Sequence, residues 1–597
     1  MNDDAKARAI IKSEFESILV TGAMDKYKDP TTGKVKNPAN WDQASKQPDA
    51  HLFKRARAVE DQQISGHGTF SHNHTLEELR ADGLTMRPVG SRYIYEYKWS
   101  PHSTKELLDY LRHKVRHILQ GHKYSMTRGV HYDAVFTPTP QDVTVRLIMI
   151  LVCCYGYISG CLDFSTAYLY ADIPEDEQVP VEYPKEARRF DKKGRKLYMR
   201  LRRNIYGHPA GARRWGQHRS KMLLEEFNSG GWKCWICEED PCLLIFISPR
   251  GTRSFVSIWT DDADGAYATQ EDKDEIKAGI KKHFKITTAD ETHQLSIVRE
   301  HFAKDGVNYV RLTQVDYIED MAASFADYLP RQASTPVPHR LRLDYEESKS
   351  RPTREHDAVH ARGYLRAVGL LLWCYRRTMP QLGNAIAMLT QHMSCPTEEA
   401  WKTAMHVIKY CYLNRHTGIT FRSDGLRKLR VYYDASHKED KSDGHSLYSY
   451  SIFFCNGPIM WQSKKNAHEG LSSTHDEVQA CYEATKAIVH VIKMIEDMGF
   501  DRSVTREPAL MLGDNAQCVK YSREDYVSPG NRFYARNVRY IKRRVRDGTI
   551  DTRHLPGKDN IADLGTKSVG PQEINALVPY QTGSGGLLPE PPRPTPT

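Results

Sequence analysis

Residues 243–284 read LLIFISPRGTRSFVSIWTDDADGAYATQEDKDEIKAGIKKHF. Two apolar, β-branched runs, 243–249 and 254–260, flank Arg250-Gly251-Thr252-Arg253, which predicts two strands, the first turning on Gly251. GAYAT at 265–269 reads as a returning strand, so Asp261 and Asp262 are predicted at the tip of a hairpin. Ile276, Ile280 and Phe284 then recur at i, i+4 and i+8, which predicts a helix with one face on a core. Outward from here, from about residue 90, short strand-like and helix-like segments alternate, the pattern of α/β or α+β folding.

A chain of 597 residues is longer than one core usually holds, so several domains are expected. Its 40% hydrophobic and 27% charged residues are those of a globular protein. No apolar run is long enough to cross a bilayer, and the opening MNDDAKARAIIKSEFE lacks an apolar signal core. Both point to the inside of the cell, where the 12 scattered cysteines would form no disulfide framework. Cys234, Cys237 and Cys242 are spaced like half a zinc knuckle without a second pair, and read as buried thiols. The net charge is +10. It concentrates between Lys185 and Lys221, where Arg188, Arg189, Lys192, Lys193, Arg195 and Lys196 are followed by Arg200, Arg202, Arg203, Arg213, Arg214 and Arg219. Such a stretch attracts phosphate backbones, though a solvated basic face has the same composition.

Residues 1–84 are polar and weakly patterned and read as a linker or small appended region. Prolines make 330 to about 350 a linker, and apolar helical segments continue to about 415. LRVYYDAS at 429–436 opens another unit that ends near 570, and PEPPRPTPT closes the chain as an extended or disordered tail.

Two sets of acids carry the chemistry. Joining a primer 3′-hydroxyl to an α-phosphate is served by two magnesium ions about 4 Å apart, held by carboxylates that converge at a sheet edge. Asp163 ends the strand-like YISGCLD, and Asp261 and Asp262 sit at the hairpin tip. Each is bland alone, since Asp pairs are common and an aspartate at a strand end is usually a turn former. Cleaving RNA in a hybrid also uses two metals. Asp434 lies in VYYDASH, and Glu477 in LSSTHDEVQACYEATKAIVHVIKMIE, a long helix with Ser473 or Thr474 as N-cap. Asp514 follows ALMLG, and Asp563 lies in HLPGKDNIADLGTK.

The order of these segments resembles copia-type LTR retrotransposon reverse transcriptases. LDFSTAYLYADIPEDEQVPVEYP (162–184) is similar to the family's catalytic-Asp signature, RLRRNIYGHPAGARRWGQ (200–217) to its L-Y-G…R-x-W motif, and DPCLLIF (240–246) to D-P-x-L-F. IWTDDADG stands where the family has Y-V-D-D. YKW (97–99), KVRHILQG (114–121) and HYDAVFTPTPQDVTVR (131–146) resemble the fingers signature, and the segment from Tyr364 to Phe421 resembles the connection. The D…E…D…D order and its local contexts resemble an RNase H domain. The resemblance runs from about 90 to 570 in the family's order.

The resemblance implies a right-hand polymerase followed by an RNase H-like domain: fingers and palm over 85–270, thumb over 271–330, connection over 331–425, RNase H over 426–570, and a Pro-rich tail over 571–597. It implies that Asp163 and Asp261 hold both polymerase metals with Asp262 supporting one, and that Asp434, Glu477, Asp514 and Asp563 hold the RNase H metals, magnesium in both cases with manganese as a substitute. Lys114 and Arg116 match the residues that grip the incoming triphosphate, and Tyr168 the aromatic that blocks a ribose 2′-hydroxyl. Ordinary surface charge and a core aromatic are the competing readings. Asp476 is a lesser alternative to Glu477, and His554 reads as structural. The implied partners are an RNA template, a DNA primer, RNA–DNA hybrid, deoxynucleoside triphosphates and other polyprotein products such as integrase and capsid, with no membrane. The implied setting is a cytoplasmic virus-like particle with access to the nucleus.

The match has departures. Trp259 replaces a tyrosine, His208-Pro209-Ala210-Gly211-Ala212 replaces L-K-Q-A-P so that a nucleotide-contacting glutamine is missing at Ala210, and Ser296 replaces a glycine. Asp440-Lys441-Ser442-Asp443 departs from D-R-x-S in a loop. Neither a protease D-T/S-G motif nor an integrase segment is visible, which reads as a polyprotein fragment or a truncated copy. An alternative is a decayed or repurposed copy that binds nucleic acid without catalysis; the presence of all seven carboxylates argues against decay.

Overall fold

The hairpin of 253–267 forms, with Arg253–Trp259 antiparallel to Asp262–Tyr267 and Trp259 opposite Asp262. A computed structural model describes the chain except residues 1–2, 30–32, 100–109, 123–124, 339–340, 342, 438–444, 525–528, 587, 589 and 592–597. The loop at 440–443 and the end of the Pro-rich tail lie outside the described residues. Among the described residues, no helix is long and apolar enough to cross a membrane.

The hairpin lies inside a six-stranded antiparallel sheet, in the order Ile286–Thr288, Ile158–Phe164, Asp262–Tyr267, Arg253–Trp259, Leu243–Ile247, Lys233–Ile236. Gly160 and Gly265 are cross-strand partners. A Cβ at either would fall within 3 Å of the fully buried Tyr267 ring, so both positions stay bare. Helices Gly211–Ser229 and Gln270–His283 cover one face through Trp215, Leu223, Phe227, Ile276 and Ile280. Helix Asp142–Tyr155 covers the other. Coverage on both faces explains why these strands read as continuous apolar runs rather than alternating ones.

Helix Asp142–Tyr155 is apolar all round because it is sandwiched. Its far side meets a second sheet of five strands, ordered Gly457–Glu469, His445–Phe454, Arg430–Ser436, Ala509–Gly513, Ile550–His554. The first three strands are antiparallel and the last two parallel. Helix Ser473–Met498 packs on this sheet; its N-cap is Ser472, one residue before the predicted pair. Leu147, Leu151 and Phe255 share one core with Ile452, Phe454 and Met494. Each such side chain contributes about 1.5–3 kcal/mol on burial. Polar contacts reinforce the junction: the Arg146 guanidinium stacks 3.6 Å from the Trp461 ring centroid, and His490 Nδ1 lies 2.6 Å from Glu239 Oε2.

Three expected boundaries meet the structure. Residues 1–84, read as a linker or small appended region, fit the second reading. Helices Asp3–Val20 and Ala50–Gly66 pack Phe15 and Phe53 against Tyr95, Tyr97 and Tyr110 of the hairpin Ser91–Trp99/Tyr110–Leu119, and Phe70–His74 pairs with Tyr198–Leu201. The 571–597 segment, read as a Pro-rich tail, opens with helix Pro571–Gln581, which covers Tyr432 and Phe453, and Arg430 binds the Leu588 carbonyl at 3.0 Å and Glu590 at 2.8 Å. The junction near 330 is also crossed. The helical unit from Tyr345 to Leu413 has its own core, but strand Ile419–Arg422 beyond it joins the earlier hairpin Ile297–Lys304/Val307–Thr313.

Candidate functional site

Strand pairing places Asp163 directly opposite Asp262. Asp261 occupies the turn before Asp262, after Thr260, whose φ of +50° marks a tight tip. The Trp215 indole N–H donates to the Thr260 carbonyl at 2.6 Å, and the Phe164 N–H to the Asp261 carbonyl at 2.6 Å, so the tip is pinned from two sides. Thr287 donates to Asp163 Oδ2 at 3.4 Å. Burial, then Asp261, raises the Asp163 pKa; burial, then Asp261 and Asp163, pushes Asp262 up to about 6. Asp261 thus repels both neighbours, and carboxylate oxygens are the donors magnesium prefers; among the described residues, however, these three do not bring one oxygen each within 4.8 Å of the others, as Asp434, Glu477 and Asp514 do.

Asp163 and Asp261 line a cavity of about 390 Å³ together with Lys114, Arg116, Tyr206 and Glu60. Burial, then Arg116 and Arg112, pushes Lys114 down to about 8. Arg116 pairs with Glu96 at 2.6 Å and lies 5.8 Å from the Tyr206 ring centroid. Tyr168 is half-buried and meets Tyr206 edge-on at 5.1 Å.

Glu60 was invisible from sequence because its helix lies in the weakly patterned stretch read as a linker or small appended region. Burial pushes its carboxyl up to about 7, and Oε1 accepts from the His117 N–H at 3.1 Å. The signal was the helical spacing Phe53, Ala56, Glu60, Ile64, with a charge interrupting the apolar face.

The departures have structural addresses. Trp259 lies under the Arg377 guanidinium at 4.8 Å, and Arg377 pairs with Asp142 at 2.6 Å. Ala210 is buried, and its N–H donates to His208 Nδ1 at 3.1 Å. Leu295 and Ser296 have φ of +53° and +64°, which suits glycine better than either residue.

The second cluster is built inside the five-stranded sheet. Asp434 lies in the central strand, Asp514 follows the neighbouring strand, and Glu477 stands in the first turns of helix Ser473–Met498. One oxygen from each lies within 4.8 Å of the others. Asp434 Oδ1 and Glu477 Oε2 are buried with no hydrogen-bond partner, an expensive state for a carboxylate that a cation would relieve. Burial, then Asp434 and Asp514, holds Glu477 well above the usual carboxylate range. Burial, then Asp434, raises Asp514.

Asp563 stands beside this trio rather than in it. Its Oδ1 accepts from Lys567 at 2.8 Å, and burial, then Asp434, pushes it up to about 7. Lys567 also reaches Asp434 at 3.5 Å, and Thr566 hydrogen-bonds the same carboxylate. Sequence reasoning missed Lys567, although its i+4 spacing from Asp563 was the signal. Asp476 turns away to His437 and Ser446, both at 2.7 Å. His554 Nε2 donates to the Asp514 carbonyl at 3.0 Å, a positioning contact.

The basic stretch 185–221 is not one open groove. Arg195 pairs with Asp191 and Glu77, Lys196 with Glu182, Arg203 with Asp172 and Arg214 with Glu177, while Arg219 is buried. Folding brings acids from distant segments onto these charges. Cys234, Cys237 and Cys242 are buried thiols, each pushed up to about 12, first by burial.

Residues 79–337 match the family model described as reverse transcriptase (RNA-dependent DNA polymerase). Over 549 residues the chain is 22% identical to the retrovirus-related Pol polyprotein from transposon TNT 1-94 of Nicotiana tabacum, covering 89% of this chain and 38% of that one. The chain thus spans well under half the length of that relative. A foamy viral protease–reverse transcriptase solved with double-stranded DNA aligns with a TM-score of 0.41 and 11% identity, over 83% of this chain and 69% of that one. The N-terminal RNase H domain of rv2228c from Mycobacterium tuberculosis, solved as a fusion with maltose-binding protein, aligns with a TM-score of 0.17 and 11% identity, over 27% of this chain and 99% of that one.

Proposed function

The chain belongs to the copia-type LTR retrotransposon reverse transcriptases, and on that premise we propose that it extends a DNA primer on an RNA template and cuts the RNA of the hybrid it makes. The observation that carries this reading is the pair of separated carboxylate clusters, each with acids raised by burial and mutual repulsion. Asp163 and Asp261 hold the cations of the first site with Asp262 in support; Asp434, Glu477 and Asp514 hold those of the second, with Asp563 and Lys567 setting its charge. Magnesium bound there supplies a positive charge against phosphate and lowers the pKa of a coordinated hydroxyl or water.

The remaining work belongs to the protein. Lys114 and Arg116 bind the triphosphate of the incoming nucleotide. Tyr168, braced against Tyr206, stands against the sugar and excludes a 2′-hydroxyl. Glu60 sits on the wall of the same cavity and tempers its positive charge. In this reading the six-stranded sheet is the palm, and the hairpin 91–119 with its N-terminal helices forms the fingers. The hairpin 297–313 and the helical unit after it take the thumb and connection roles as one unit.

The test is primer extension on an RNA template with magnesium. Extension that requires deoxynucleotides and is lost with chelator supports the reading. Hybrid binding with neither extension nor cleavage under any divalent cation would favour the second reading, a nucleic-acid-binding copy without catalysis, to which the Trp259, Ala210 and Ser296 departures lend weight.

A further inference from the structure

A run of like charge lies outside both clusters. Helix Ala535–Arg546 reads ARNVRYIKRRVR and holds no acid. Val538 and Ile541 face inward. The helix lies alongside Ser473–Met498: His475 stacks on Tyr534 at 5.0 Å, Asn537 Nδ2 donates to Gln479 Oε1 at 2.6 Å, and Tyr540 meets Tyr482 edge-on at 5.3 Å. These contacts advance together along both chains, so the helices run parallel. The basic helix therefore starts beside the turn that carries Glu477.

Its outer side is a line of arginines. Arg536, Arg539, Arg543 and Arg546 are exposed at spacings of three, four and three residues, the repeat of one helix face, and exposed Arg532 stands in the 3-10 turn Pro529–Tyr534 just before it. Among the described residues, no carboxylate pairs with Arg536, Arg539 or Arg543. Like charges at i, i+3 and i, i+4 repel and weaken a helix, so this face is costly unless something anionic covers it. In 185–221, by comparison, Glu77, Glu182, Asp172 and Glu177 stand against Arg195, Lys196, Arg203 and Arg214.

We propose that this arginine ridge binds the phosphate backbone of an RNA–DNA hybrid running past the Asp434–Glu477–Asp514 cluster. The proposal rests on reading that cluster as the hybrid-cutting site. From Arg536 to Arg546 the ridge covers about 15 Å of helix axis, the axial length of about four phosphates of one strand. All five positions carry a guanidinium, which takes phosphate oxygens in pairs, while the one lysine of the helix, Lys542, is buried. At the head of the ridge Phe533 is 75% exposed and offers a ring to a sugar or base.

The experiment is fluorescence anisotropy of a labelled RNA–DNA hybrid on the full chain, across a salt series, with calcium replacing magnesium so that turnover does not confound binding. The wild type is compared with the triple variant Arg536→Gln, Arg539→Gln, Arg543→Gln and with the matching triple substitution to Lys. The Gln triple is expected to flatten the slope of log affinity against log salt by about 2 to 3 and to weaken binding roughly ten- to a hundredfold at low salt. The Lys triple should keep the slope. The melting temperature should hold or rise slightly, because the changed side chains are exposed. An unchanged slope in the Gln triple would overturn the proposal, as would a slope lost equally in the Lys triple. A Gln triple that loses affinity for a poly-glutamate peptide but not for hybrid would assign the ridge to an acidic protein and also overturn it. Cleavage is scored separately in magnesium. A wild type that binds through the ridge but never cuts would refute the site reading and leave the ridge standing.

Discussion

At Asp434 the carboxylates sit inside a sheet and are held by their neighbours; at Asp261 they sit on a hairpin tip and face a cavity. Thr566 and Lys567 grip the inner cluster from one short segment, and two of its oxygens are buried without a partner. Among the described residues, the outer cluster has Thr287 as the side-chain donor to Asp163, and Lys114 stands across the cavity. Similar ligand chemistry is thus pre-set by packing in one place and left to be completed by what binds in the other. The inner cluster stores repulsion in the folded protein. The outer one shares its charge with solvent and with the basic cavity wall.

The largest effect expected from this contrast is at Glu477. Glu477→Gln should lower hybrid cleavage on the order of 10^3-fold and raise the melting temperature of the cation-free protein by a few degrees, since a neutral isostere relieves buried repulsion. Asp262→Asn should give a smaller thermal rise. Equal thermal shifts would break the comparison. Next, Lys567→Ala should destabilise by about 2 kcal/mol, below the usual loss for breaking a buried pair because the side chain is 36% exposed. Thr287→Ala, the counterpart at the outer cluster, should cost less than about 1 kcal/mol. Chemical denaturation of the two variants side by side measures both.

The pH dependence sharpens the same point. Asp262 is pushed up to about 6 and Asp563 to about 7, so the folded protein holds these protons more tightly than the unfolded chain. The stability they contribute is fully present below the ordinary aspartate value of 3.8 and is lost as pH rises from there through these values. Magnesium favours the ionised acids, so its thermal stabilisation should grow over that window. Thermal melts with and without magnesium test this, and a magnesium effect that shrinks as pH rises would count against it. One further effect lies away from both clusters. Ser296→Gly relieves a φ of +64° and should add about 1 kcal/mol without changing the ratio of extension to cleavage.

The hairpin and the helix after it were legible because strand composition and helical period are local. Asp434, Glu477 and Asp514 were picked out by the order and local contexts they share with the family, since each is bland alone; the structure brings one oxygen of each within 4.8 Å of the others. What was hidden depends on distant partners. Residues 1–84 place Asp49 and Glu60 among Phe15 and Phe53, so their core positions look polar. Within 185–221, Arg195, Arg203 and Lys196 pair with Glu77, Asp172 and Glu182, which no local window brings to them. Helix 142–155 announced its burial by being apolar all round, but not that one side would meet Ile452 and Met494 of a unit 300 residues on. That shared core means the two clusters belong to one packed body rather than to beads on a tether.

The measurement that bears most directly on two separate sites in one body uses a single labelled hybrid with a primer terminus, read for extension and for RNA fragments in the same tube. Asp261→Asn is expected to abolish extension while cleavage continues, and Asp514→Asn to do the reverse. If Asp261→Asn, still folded and still bound to hybrid, also stopped cleavage, the account of two independent carboxylate sites would be contradicted.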